Sequence, residues 1–182
     1  MADDVCECFL DDPVGCQIDP SWEGSWGSAR GQRNANAAAF RSCDEIAELI
    51  DDSTKVLLVK PETFMNLSGR SVRQVLDFYQ VEAADLLVVC DDINLPLGKL
   101  RARAKGSHGG HNGLRDIQNH LGHNDYARLR IGVGGPGEAD AADYVLDRFR
   151  ASEKPVIEDA LLRAVEATAL WWRQGIDSCM NQ

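Results

Sequence analysis

The chain has 182 residues, 44% of them hydrophobic and 26% charged, which suits one folded domain and excludes a disordered or collagen-like polymer. Nineteen Lys and Arg against 29 Asp and Glu leave a net charge of −10, so bulk charge does not attract polyanions and any nucleic-acid binding has to be local. The longest apolar runs, residues 56–59 and 86–90, are far short of the roughly 20 residues of a membrane helix, so no membrane partner is expected.

Residues 1–39 carry three cysteines and two tryptophans but sustain neither a helical nor a strand period. The six cysteines form no CxxC pair and the opening MADDVCECFLDD is acidic, so reduced thiols and a cytoplasmic location are expected. From Glu45 the pattern becomes regular. EIAELI, the polar DDST and KVLLVKP predict a β-hairpin.

After Pro61, KPETFMNLSG places Phe64, Met65 and Asn66 in a loop between a strand and a helix. An aromatic beside a carboxamide can stack on a ring and hydrogen-bond a substrate, or be a hydrophobic plug with a turn-forming Asn. Ser68 is placed to cap a helix over 69–79, with Val72, Val75, Leu76 and Tyr79 on its buried face. Residues 86–90 are a short continuous apolar run, as in a central strand covered on both faces, ending at Asp91 and Asp92. Ligands of open α/β sheets bind at that end of a strand, and one of these carboxylates is expected to orient a histidine.

Residues 93–115 hold no acid, while Lys99, Arg101, Arg103, Lys105 and Arg115 fall inside that stretch. In a strand, period two puts the first four on one face, either as a solvated edge or as a phosphate contact. GSHGGHNG, residues 106–113, surrounds His108, His111 and Asn112 with four glycines and leads into a helix whose free N–H groups suit an anion. A zinc site is disfavoured, because no cysteine lies nearby and the loop gives the histidines no helical register. The helix is expected from about Asn112 to His120, stopped by Gly122, followed by a strand in LRIGVGG. The last element runs from about Ser152 to Gln174, with Val156, Ala160, Leu161, Ala164, Val165 and Ala169 buried and Gly175 as its stop. Strands alternating with helices define an α/β protein.

KPETFMNLSGRSV, DDINLPLG, GSHGGHNGLRDI and RLRIGVGGPG, in that order and spacing, resemble the bacterial peptidyl-tRNA hydrolase family over about residues 40–175. The resemblance implies a monomeric, single-domain α/β fold with a mixed central sheet flanked by helices, spanning residues 40–182. It also implies metal-free, cofactor-free hydrolysis of the ester joining a peptide to the 3′ end of tRNA. By the same resemblance Asn66 and Asn112 hold substrate and water, with Phe64 and Met65 beside them. Asp91 stabilises the catalytic imidazole, His111 is a second histidine of the cleft, and Arg101, Arg103 and Arg130 grip tRNA phosphates, with Lys105 continuing the cation row.

Family members open with a glycine-rich GxGNPG strand end and a TRHN segment whose histidine is the general base. Neither matches residues 1–39 here, and all four histidines lie between 108 and 123. The number of residues before KPETFMN is nonetheless near what the family needs, so the expectation is an altered N-terminal sequence, from a shifted frame or wrong start, which leaves the central sheet's N-terminal strand doubtful. Two functions follow: an esterase using Asp91, Asn66, Asn112 and His111, or a tRNA-binding remnant impaired by loss of the base.

Overall fold

The computed structural model describes residues 32–33, 44–51, 54–135, 137 and 140–181. Apart from Gln32–Arg33, the N-terminal segment 1–39 lies outside the described residues, and so does any N-terminal strand preceding that pair. The described residues divide into two compact units, one of residues 32–80 with 108–123 and one of residues 81–107 with 124–181.

In the first unit β1 (Gln32–Arg33), β2 (Asp44–Asp51) and β3 (Thr54–Pro61) form an antiparallel sheet in that order. The β2–β3 hairpin expected from the sequence is present in continuous register, from Asp44 opposite Pro61 to Asp51 opposite Thr54. A single 3₁₀ turn, Met65–Leu67, leads into α1 (Ser68–Tyr79). Val75 and Leu76 are buried on α1, as the period requires, while Val72 and Tyr79 are half-buried. Ser68 is not the cap: it is the first helical residue, and its Oγ donates to the Met65 carbonyl at 2.9 Å, closing the turn behind it.

Helix α2 (Asn112–Leu121) packs on α1. The two backbones approach closely at Gly69, where an added Cβ would collide with the main-chain carbonyl of Asp116. The Asp116 carboxylate answers by accepting the Gly69 amide at 2.7 Å. Gly122, at φ 78°, ends α2 as the sequence indicates.

The second unit holds the mixed sheet: β6 (Ala127–Gly132) runs parallel to β4 (Leu87–Asp92) and antiparallel to β5 (Leu100–Arg103). β6, not β4, is therefore the middle strand among the described residues, and Asp91 and Asp92 close β4 at its carboxyl end, as the sequence indicates. The strand with the denser burial is β6, whose Ala127, Leu129 and Ile131 are each at most 5% exposed. Pairing on both sides leaves it no wet edge.

The short helix α3 (Ala141–Val145) is tied back to the end of β6 by the Tyr144 hydroxyl, which donates to the Val133 carbonyl at 2.8 Å. The long helix α4 (Lys154–Gln174) packs on β6, and α5 (Ile176–Met180) on β5. The buried stripe of α4 is Ile157, Ala160, Leu161, Ala164, Ala167 and Ala169. Val156 departs from the expectation and stays largely exposed, although Gly98 lies against it with no room for a Cβ; Val165 is half-buried. The alanines let the helix sit close to the sheet, where larger side chains would hold it off. Among the described residues no helix is long and apolar enough to cross a membrane.

Candidate functional site

The residues singled out in the sequence fall into two groups, one in each unit. In the first, the Met65–Leu67 turn packs against the start of α2. Gly113 makes this possible: a Cβ there would stand 2.7 Å from the Met65 sulfur and 3.1 Å from the His111 ring. Asn66 and Asn112 thus lie exposed on two neighbouring elements, with Met65 partly exposed between the backbones. Phe64 is 79% exposed, which removes the alternative that it plugs a core and leaves a ring open to solvent.

The glycine loop is held by its own histidines. The His108 ring accepts the Gly110 amide through Nδ1 at 3.1 Å, and the His111 ring accepts the Leu114 amide through Nδ1 at 3.2 Å, capping α2. An imidazole that accepts at Nδ1 carries its proton on Nε2 when neutral. His111 therefore presents an N–H donor at its outer nitrogen. Among the described residues no group of three or more His, Cys, Asp or Glu side chains is arranged around a possible metal position.

In the second unit the cation row is confirmed only in part as a strand. Arg101 and Arg103 are exposed and alternate with half-buried Leu100 and buried Ala102 in β5, whereas Lys99 and Lys105, also exposed, flank it. Opposite them on β6 stand two more arginines: Arg101 pairs with Arg130 and Arg103 with Arg128. Period two in ARLRIG puts Arg128 on the same face as Arg130, the one of the two that the family resemblance implies.

Arg130 is not free. Its Nη1 donates to the Asp92 carboxylate at 2.9 Å and its Nη2 to the Ser107 carbonyl at 2.8 Å. Asp92, nearly fully buried, also accepts the Asn94 amide at 2.9 Å. Burial would raise its pKa, but the Arg130 guanidinium and the Asn94 amide prevail and hold the carboxyl below the usual range. One of the two acids is expected to orient a histidine; Asp92 serves an arginine, because Arg130 lies beside it on the neighbouring strand. Asp91, half-buried, points by alternation to the other face of β4.

An α/β fold with a mixed sheet, a carboxamide turn seated on a glycine-led helix and an arginine-faced strand pair place the chain among hydrolases of the class sketched by its motifs. The sequence model of the peptidyl-tRNA hydrolase family matches residues 28–182, a wider span than the motifs alone. The chain is 46% identical over 137 residues to a peptidyl-tRNA hydrolase of Desulfitobacterium hafniense, covering 75% of this chain and 74% of that protein. It is 49% identical over 128 residues to that of Lachnoclostridium phytofermentans, covering 70% and 67%. The crystal structure of peptidyl-tRNA hydrolase from Acinetobacter baumannii superposes with a TM-score of 0.71 at 32% identity, covering 76% of this chain and 70% of that one. The chain belongs to the peptidyl-tRNA hydrolase family.

Proposed function

We propose that the chain hydrolyses the ester joining a peptide, or an N-blocked aminoacyl group, to the 3′ end of tRNA, as a cytoplasmic monomer needing no metal or cofactor. The observation that carries this reading is the Met65–Leu67 turn seated on the start of α2 through Gly113, in a chain of this family. It sets two carboxamides, Asn66 and Asn112, on adjoining elements, where they suit an ester carbonyl and an attacking water. The open Phe64 ring and Met65 suit an apolar peptide side chain or the terminal base.

Ester hydrolysis needs a proton acceptor for water and donors for the developing oxyanion. Asp91 is the group assigned to acceptance, and His111 to donation, because the helix cap leaves its proton on Nε2. Arg101, Arg103 and Lys105 supply the phosphate contacts, with the exposed Arg101 and Arg103 the principal ones. Arg130, already engaged by Asp92, organises this face more than it adds free charge.

Single-turnover release of an N-acetylaminoacyl group from tRNA by the purified chain tests the proposal. Release is expected above buffer, and Asp91→Asn is expected to lower it by about 10² to 10⁴. Absence of release with tRNA binding retained would leave only the impaired-remnant function.

A further inference from the structure

Arg128 is the largest fully buried side chain among the described residues, 1% exposed. Its guanidinium carbon lies 4.3 Å from the centre of the Tyr126 ring. Nη1 donates to the carbonyls of Gly106 at 2.7 Å and Ser107 at 3.2 Å, and Nη2 to the carbonyl of Asn124 at 2.9 Å. Among the described residues its Nε has no partner and no carboxylate pairs with it.

A buried cation without a counter-ion, with one donor unsatisfied, is a poor way to stabilise a sheet. An apolar side chain would fill the same space without desolvating a charge, and such replacements are often neutral or stabilising. What an apolar residue cannot do is hold carbonyl oxygens. Two of the three oxygens held by Arg128 belong to the residues directly before His108, and Arg130 donates to one of the same pair, Ser107. Neither Gly106 nor Ser107 belongs to a helix or strand, so these side-chain bonds take the place of a ladder.

We propose that Arg128 is a positioning residue for the hydrolase reaction: by gripping the Gly106 and Ser107 carbonyls it fixes the point at which the chain leaves the sheet for the His108–Asn112 loop. Its catalytic consequence rests on the function proposed above; its effect on the loop does not. The guanidinium fork spans acceptors from two segments at once, 106–107 and Asn124, and a single ammonium has no comparable reach.

The test compares wild-type, Arg128→Met and Arg128→Lys by amide hydrogen exchange and by single-turnover release from N-acetylaminoacyl-tRNA. In R128M the amides of residues 106–110 are expected to exchange at least tenfold faster, while those of Leu129–Ile131 keep their protection. Release at saturating substrate should fall about tenfold, with KM changed less than twofold. Should R128M fail to fold, R128K carries the test, with loop exchange at least threefold faster and strand exchange unchanged. Equal acceleration of loop and strand amides would show a merely structural arginine and overturn the proposal, as would unchanged loop exchange in the folded variant. Loop acceleration in a chain whose wild-type form releases nothing would refute the hydrolase function and leave the arginine clamp standing.

Discussion

Arg101 and Arg130 face each other directly across the β5–β6 pair, two like charges in a position that ordinarily destabilises a sheet. The arrangement is tolerated because Arg130 is neutralised from the other side by Asp92 at 2.9 Å, leaving Arg101 as the charge that faces water. Asp92 thus ties Arg130, backbone carbonyls hold Arg128, and the two arginines of β5 stay exposed.

Removing that acid uncovers the repulsion. Asp92→Asn is expected to lower the unfolding free energy by about 3 kcal/mol, the usual cost of leaving one partner of a buried pair alone. Urea titration at pH 7 measures it, and a change under 0.5 kcal/mol would mean the pair is not an electrostatic keystone.

The same carboxylate sets a pH dependence. Its folded pKa is lowered from an ordinary value of 3.8, so the stability it adds is fully present above that value and is lost as pH falls through the lower folded one. Wild-type stability should decline below about pH 4 more steeply than that of Asp92→Asn. Parallel curves for the two proteins would contradict the assignment.

The open pair should behave differently. Arg101→Gln and Arg103→Gln are expected to change stability by less than about 0.5 kcal/mol, since both side chains are exposed. Each should weaken tRNA binding and reduce the slope of log K against log salt by about 1. An unaltered salt slope in the double variant would remove the cation row from the interface.

Close helix packing offers a steric test. Gly69→Ala drives a Cβ into the Asp116 main-chain carbonyl, which cannot swing aside, and is expected to cost about 2 kcal/mol or more. Gly113→Ala instead meets the Met65 sulfur, the end of a flexible side chain, and should cost less while displacing the Asn66 turn. Thermal melts and release rates of the two variants should therefore rank oppositely; equal ranking would mean the Met65 contact is not a seat for the turn.

Burial raises the Cys90 thiol to about 12, with the neighbouring Asp91 charge adding to it. Little thiolate exists at pH 8, so alkylation of Cys90 followed by peptide mass mapping should be at least about 100-fold slower in the folded chain than in urea. Fast labelling in buffer would show β4 opening locally.

Much of this architecture was legible in the residues, because its signals are local. The β2–β3 hairpin follows from two apolar runs around DDST, α1 and α2 from a 3.6-residue period and a glycine stop, and the Arg101/Arg103 alternation from period two. The family itself was legible from four motifs in series, and the match over 28–182 agrees with them.

What chain order by itself determined, then, is which segments coil or extend and which residue types sit on one face, since each depends on neighbours a few positions away. Tertiary structure alone decided that β6 is the middle strand of β4, β5 and β6 among the described residues, that Asp92 serves Arg130 from 38 positions away, and that Arg128 is buried on carbonyls. It also decided that Gly69 and Gly113 are contact points between backbones. Those outcomes depend on strand pairing, register and helix approach, which bring distant residues together and leave no periodic trace in the segments they join.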